Sequence, residues 1–281
     1  MSIPRHMNRA GPDTVEAHEA AAAARRDVQE GEGEGEGEGH ASAKRAYVRR
    51  IFSEIAPRYD LLNHVLSLNI DRVWRSRAVN ALGWQRAPRG MYLDLCAGTL
   101  DVSVKLAAMA GFGGTVVASD FAEPMLRVAL PKIGNRSVAP LTADALSLPL
   151  RGSSIDGAIV AFGARNLADL DAGIAEVFRV LRSGGRFVIL EFSTPRNPIV
   201  RTAYHTYFHH VLPIIGRLVS GHRTAYRYLP TSVSYFPSVA ELGERLTRAG
   251  FVDVSWRSLT FGIAAIHVAT KPIPYPLSPS P

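Results

Sequence analysis

Tyr92-Leu93-Asp94-Leu95-Cys96-Ala97-Gly98-Thr99-Leu100-Asp101 is the stretch on which the reading of this chain turns. Residues 91–96 form a short apolar run with one embedded acid, the composition of a strand buried on both faces of a parallel sheet. Ala97 and Gly98 are small enough for a sharp turn and for close approach of a ligand to the backbone. Thr99 or Asp101 can then cap a helix that continues through residues 102–110. Strand, small-residue turn and open helix N-terminus together make a corner that suits a nucleotide-bearing cofactor. Further on, residues 115–119 read as a second strand ending in Asp120. A carboxylate there can accept hydrogen bonds from both hydroxyls of a ribose.

Two cofactor classes use such a corner. A dinucleotide wants Gly-x-Gly-x-x-Gly to bring a pyrophosphate against the backbone, and only Gly98 is present here. That weakens the nicotinamide reading and leaves S-adenosylmethionine, which carries a ribose and a charged amino-acid tail but no phosphate. A glycine turn in an α/β domain that binds nothing is the plain alternative.

Composition narrows the classes further. The 281 residues are 47% hydrophobic and 20% charged, enough for a sizeable core in a soluble protein. No apolar run approaches the roughly 20 residues needed to span a bilayer, and the charged, Ala-rich N-terminus lacks a signal core. The expected location is cytoplasmic. The single cysteine, Cys96, excludes an intramolecular disulfide, and its place beside a buried strand favours inert packing. Net charge is +7, but residues 1–43 hold four basic and nine acidic side chains, leaving +12 on the remainder. A basic domain favours anionic surfaces such as membranes. Its basic residues are scattered without a nucleic-acid motif, so no nucleic-acid partner is expected.

Residues 1–43, with an Ala run and a Glu-Gly alternation, have no apolar face to bury and read as a disordered tail. From Lys44 the composition changes, and Val48, Ile51, Phe52 and Ile55 recur at helical spacing up to Pro57. Tyr59, Asp60, Asn63, His64 and Asp71 crowd into the next, otherwise apolar, segment, where polar groups need partners or a ligand. A helix at 122–130, a turn region at 131–136 and a third strand at 137–141 follow, the last leading into Thr142-Ala143-Asp144. A fourth strand at 155–162 is followed by Gly163-Ala164-Arg165-Asn166. A helix at 171–181, closed by Ser183-Gly184-Gly185, and a fifth strand at 187–192 come next. This alternation predicts a parallel sheet with helices on both faces and a ligand at the C-terminal strand ends, where Asp94, Asp120, Asp144 and Arg165 lie. Residues 198–220 read as mostly helical, suited to covering an apolar pocket or touching a membrane. Their histidines lack a neighbouring carboxylate or cysteine, so no metal is expected. A helix at 239–249 between Ser238 and Gly250, strands at 251–258 and 262–270, and a Pro-rich tail from 272 end the chain.

The chain from about residue 45 to 271 resembles the quinone-biosynthesis C-methyltransferases. These are the family of demethylmenaquinone methyltransferase and of the 2-polyprenyl-6-methoxy-1,4-benzoquinol methylase of ubiquinone synthesis. Tyr59-Asp60-x-x-Asn63-x-x-Leu66-Ser67 with Trp74 resembles the family signature ahead of the methyltransferase domain. Phe162-Gly163-x-Arg165-Asn166, Arg179-Val180-Leu181-x-x-Gly184-Gly185-Arg186, Leu190-Glu191-Phe192-Ser193 and Tyr226-x-Tyr228-Leu229-x-x-Ser232 match in order. The departures are Leu100 where the family usually has Gly, Leu62 and Asp71 where it often has Met and His, and Ala161 in place of a serine.

The resemblance implies a class I S-adenosylmethionine-dependent methyltransferase fold, Rossmann-like. It has a mostly parallel seven-stranded sheet, helices on both faces and an N-terminal helical cap. Residues 44–271 would be one domain, with the cap at 44–88 and the core at 89–271, and 272–281 a frayed tail. The implied reaction is C-methylation of a polyprenyl quinol, demethylmenaquinol to menaquinol, with the ubiquinone-pathway benzoquinol, another small-molecule methyltransferase or a non-catalytic cofactor-binding protein as alternatives. Thr99, Asp120, Ala143 and Asp144 are implied cofactor contacts, and Gly98 and Asp94 belong to the same corner. Arg165 would stabilise a phenolate and Asn166 position an oxygen or water, while Tyr59, Asp60, His64 and Asp71 are candidates for taking the proton, directly or through water. A lipid-soluble substrate carries with it an expected peripheral contact at the inner membrane face; whether copies of the chain associate stays open.

Overall fold

The computed structural model describes residues 34–61, 67, 69–207 and 232–274. A seven-stranded sheet organises them: β1 (Met91–Leu95), β2 (Thr115–Asp120), β3 (Val138–Thr142), β4 (Ile155–Ala161), β5 (Leu181–Phe192), β6 (Val252–Leu259) and β7 (Ala264–Thr270). The order is β3-β2-β1-β4-β5-β7-β6. β1 to β5 are mutually parallel, whereas β7 runs antiparallel to both β5 and β6. Strand order reverses on either side of β1, and the crevice beyond the C-terminal ends of β1 and β4 is therefore where a doubly wound sheet opens for a ligand.

The helices are α1 (Glu34–Ile55), α2 (Ile70–Ala81), α3 (Asp101–Ala107), α4 (Glu123–Ile133), α5 (Leu170–Val180), α6 (Pro198–Thr206) and α7 (Val239–Arg248), with a 3-10 turn at Ala56–Arg58. α1 begins at Glu34, so the boundary drawn at residue 43 falls inside a helix that includes part of the Glu-Gly alternation. No helix among the described residues is long and apolar enough to cross a membrane.

Alternation along β1 sends Leu93 and Leu95 into one core and Tyr92 into the other. The first core packs the sheet against α5 and α7 through Ile174, Val177, Val180, Leu242 and Leu246. The second packs it against α2 and α3 through Trp74, Val79, Val102 and Leu106. Each fully buried aliphatic side chain contributes about 1.5–3 kcal/mol. Among the described residues, α1 and the 3-10 turn after it contribute two small clusters, Tyr47-Ile51-Ile55 and Ala56-Ala122-Met125, beside these cores.

Three local expectations are corrected. Neither Thr99 nor Asp101 caps α3: the residue before the helix is Leu100 at φ 65°, with no side-chain cap. α4 does not stop before Pro131 but continues through it to Ile133. β5 starts at Leu181, and its register with β4 jumps between Ile155↔Leu181 and Gly157↔Arg186, so Ser183-Gly184-Gly185 is a bulge within a strand. Ser238, by contrast, caps α7 as read, its hydroxyl accepting from the Glu241 amide.

Candidate active site

The corner after β1 is shaped by three left-handed residues, Cys96, Gly98 and Leu100. Gly98 sits at φ 53° and donates its N–H to Asp120 Oδ2 at 2.8 Å. A Cβ built there would point at Met125 Cε, 3.4 Å away, and Tyr59 Cε1, 3.8 Å away, so the glycine keeps a cradle open between them. Leu100 costs about 1–2 kcal/mol in its left-handed conformation. Its side chain is fully buried with Ala118, Leu126 and Ala129, which returns a comparable amount. Leu100 therefore points into the core and does not line the pocket.

The pocket lies over this corner. Its floor is Gly98, Ser119, Asp120, Ala143 and Asp144 at the ends of β1, β2 and β3, with Phe162, Gly163 and Asn166 beyond β4. Its roof is the cap: Arg45, Val48, Phe52 and Tyr59. Phe52 and Tyr59 meet edge to face, with ring centroids 5.9 Å apart. Cys96 also lines the pocket, just past the strand end; burial pushes its thiol well above the usual range, so it stays protonated.

Asp120 is nearly buried, and its Oδ1 accepts from the Ala122 amide at 2.8 Å while Oδ2 takes Gly98. Burial raises its pKa, opposed by the backbone amides of Ala122, Gly98 and Phe121. Each carboxylate oxygen keeps a second lone-pair site for a ligand. Asp144 accepts from the Leu146 amide at 3.0 Å and pairs with Arg45 of α1 at 3.3 Å. The Ala143 amide donates to the Asp120 carbonyl at 3.1 Å. Ser119 Oγ is buried in the pocket wall without a hydrogen-bond partner, an arrangement that suits a bound polar molecule.

Asp94 does not reach this pocket. It faces the α2–α3 side of the sheet, where Ser103 Oγ donates to it at 2.6 Å. Burial pushes its pKa up to about 7, against the Ser103 hydroxyl and the charge of Arg75. Asp71, buried 4 residues before Arg75, accepts from Ser67 Oγ at 2.7 Å and pairs with Arg75 at 3.4 Å.

Arg165 is also placed differently from the expectation of a phenolate-facing cation. Its Nη1 pairs with Glu191 Oε1 at 2.7 Å and donates to the Phe162 carbonyl at 2.5 Å, both groups almost fully buried. Its guanidinium lies over the Phe192 ring, 5.4 Å from the centroid. The neighbouring Asn166 is the member of the Arg165-Asn166 pair that lines the pocket.

Asp60 and Thr99 are brought together. Thr99 Oγ1 donates to Asp60 Oδ1, and Lys132 Nζ pairs with Asp60 Oδ2. The same ammonium donates to the Thr99 carbonyl at 2.9 Å and Asp101 Oδ1 at 2.8 Å. Asn63 and His64, and His209, His210 and the Tyr226–Leu229 motif, lie outside the described residues. Lys132, Arg45 and Ser119 escaped the sequence reading. Lys132 was hidden because residues 131–136 read as a turn; in the continued helix it points back at the corner.

A nucleotide corner at a strand-order reversal, roofed by an aromatic helix, agrees with the family comparison. The ubiE/COQ5 methyltransferase family model matches residues 40–271. The chain belongs to this family. It is 47% identical over 224 residues to the demethylmenaquinone methyltransferase of Thermus thermophilus, covering 79% of this chain and 100% of that one. It is 45% identical over 226 residues to the demethylmenaquinone methyltransferase of Deinococcus radiodurans, covering 80% and 92%. With the ubiquinone/menaquinone biosynthesis C-methyltransferase UbiE of Geobacter sulfurreducens it shares 41% over 228 residues, covering 80% and 88%. Among solved structures, the [4+2]-cyclase SpnF superposes with a TM-score of 0.59 at 17% identity, over 81% of this chain and 96% of that one. A Thermotoga maritima S-adenosylmethionine-dependent methyltransferase gives 0.55 at 17% identity, over 80% and 99%. At such identities the likeness speaks for the fold, and it matches the seven-stranded class I methyltransferase architecture expected from the sequence.

The family makes this chain an S-adenosylmethionine-dependent methyltransferase. The pocket suits that cofactor. It offers an open glycine cradle, a carboxylate with spare lone pairs, the unpartnered Ser119 hydroxyl and apolar walls at Phe52, Phe121 and Leu146.

Proposed function

We propose that this enzyme methylates a ring carbon of a polyprenyl quinol, demethylmenaquinol to menaquinol. The observation that carries the substrate is the full-length match to the Thermus thermophilus enzyme, whose name specifies demethylmenaquinone. Asp120 binds the ribose hydroxyls, Ser119 and the Ala143–Asp144 segment the adenine side, and Gly98 with Thr99 the methionine end. Bound S-adenosylmethionine supplies an electrophilic methyl group.

The chain's own residues make the quinol ring a better nucleophile and hold it in line with that methyl group. Asn166, on the pocket wall beyond β4, positions a quinol oxygen. Asp60, next to Tyr59 of the roof, accepts the phenolic proton directly or through a water, so that charge moves onto the ring carbon as the new bond forms. The ring hydrogen displaced by the methyl group leaves as a second proton, and the phenolic oxygen is reprotonated, so one proton is released per turnover. The Phe52 and Tyr59 roof excludes water. Arg165, neutralised by Glu191, holds the turn that carries Asn166 rather than acting on the quinol directly.

Access from a membrane surface fits the lipid substrate. Ile199 at 80% exposure and Phe261 at 82% protrude near the C-terminal end of β5, with Arg196 and Arg201 exposed beside Ile199. Apolar tips amid basic residues suit anionic lipid headgroups.

Transfer of labelled methyl from S-adenosylmethionine to a short-chain demethylmenaquinol is expected to exceed transfer to the matching benzoquinol. Equal or reversed rates would move the substrate to the ubiquinone pathway, and labelling of neither would remove the quinol.

A further inference from the structure

We infer that Lys132 is a positioning residue for methyl transfer: it holds Asp60 against the cofactor corner and fixes the turn that carries Thr99. The inference rests on the reading of Asp60 as a quinol-side residue. An ammonium has three N–H donors. Those of Lys132 meet three acceptors from two different segments: Asp60 Oδ2 in the cap, and the Thr99 carbonyl and Asp101 Oδ1 at the start of α3. Thr99 closes the ring by donating to Asp60 Oδ1, so both Asp60 oxygens are oriented.

The arrangement depends on the cation. Asp60 and Asp101 converge on one ammonium, and without it two carboxylates would share that space. Like charges would drive Asp60 on the shorter, cap-borne segment away from the corner. The alternative duty for a lysine in a last helical turn is to satisfy the helix C-terminus. Arg136 already does so, donating to the Lys132 carbonyl at 3.3 Å and the Ile133 carbonyl at 3.2 Å. Lys132 itself turns back along α4 to the corner. Its side chain and that of Asp60 are each about one-third exposed, at 32% and 33%. A pair that accessible adds little to stability, so its contribution falls on geometry.

The test is a cycle of Lys132→Met and Asp60→Asn in the full chain, read by quinol kcat and KM and by Tm. Lys132→Met is expected to lower kcat by about tenfold, the scale of one lost charge-assisted hydrogen bond, with Tm nearly unchanged. In the Asp60→Asn background the same change is expected to add less than about twofold. Lys132→Arg, which keeps the cation, is expected to recover most of the lost kcat. Normal kcat in Lys132→Met beside an impaired Asp60→Asn would overturn the positioning role while leaving the site intact. An equal loss in both backgrounds, or a Tm that falls in step with kcat across Met and Arg, would also overturn it. Normal kcat in Asp60→Asn would instead sink the reading of Asp60 itself.

Discussion

Asp94 shows how one residue's sequence context and its surroundings can part company. It lies in the stretch that announces the cofactor corner, yet strand alternation turns it to the opposite side of the sheet, onto Ser103. Its folded pKa of about 7 lies above the ordinary 3.8, with burial as the main cause. Between those values the folded state binds more protons than the unfolded chain. The contribution to stability is therefore complete below about pH 4 and is lost as pH rises through 7. Asp94→Asn removes this titration, so its stability curve should be flatter from pH 4 to 7 than that of the parent. Urea unfolding midpoints measured across that range check the slope, and parallel curves would show that Asp94 ionises freely. The corner itself was legible at this scale because glycine, small residues and a strand-end acid have few other joint explanations. The side toward which an embedded acid points was not, since it depends on register with β2 and β4.

At the scale of elements, the strand–helix alternation was readable because buried parallel strands are apolar and their helices amphipathic. The misread boundaries have physical causes. Pro131 reads as a stop, because in a helix interior its ring meets the carbonyl four residues back and it has no N–H to donate; α4 carries that cost and runs two residues further, to Ile133. Ser183-Gly184-Gly185 reads as a turn and is a bulge, because β4 continues to pair on both sides of it. Arg165 belongs to this scale as well. Its pair with Glu191 joins the turn after β4 to the end of β5, and both side chains are almost completely buried. Removing one partner of such a pair costs about 3–5 kcal/mol, which for a chain of this size is a fall in Tm of roughly 10 °C. Arg165→Gln should therefore lose stability, and calorimetric melting is the check. An unchanged Tm with turnover down a hundredfold would return Arg165 to direct contact with the quinol.

Across the whole molecule, the cap and the sheet make different contributions. The two large cores are built from β-strands and from α2, α3, α5 and α7, whereas among the described residues α1 adds the separate Tyr47-Ile51-Ile55 cluster and packs Phe52 against Ala56, Ala122 and Met125. Yet α1 supplies Arg45, Val48 and Phe52 to the pocket roof, ties Arg45 to Asp144, and sends Lys44 Nζ to the Leu167 carbonyl at 2.6 Å. α1 thus belongs more to the site than to the core. From sequence, the apolar spacing of Val48, Ile51, Phe52 and Ile55 gave the helix, while its seat over the strand ends depended on long-range contacts that periodicity does not encode. Two truncations follow from this division. Removing residues 1–33 leaves α1 and every roof contact among the described residues in place, so turnover and S-adenosylmethionine affinity should stay at the parent level. Removing residues 1–56 takes Arg45, Val48 and Phe52 of the roof with it but leaves Tyr59 and both large cores. The remaining chain should still melt cooperatively, while S-adenosylmethionine affinity measured by calorimetry falls at least about a hundredfold, the order expected when several wall contacts are lost together. Retained affinity would show that the roof is not part of the cofactor site. Loss of the cooperative transition would show instead that the small cap cluster is needed by the cores.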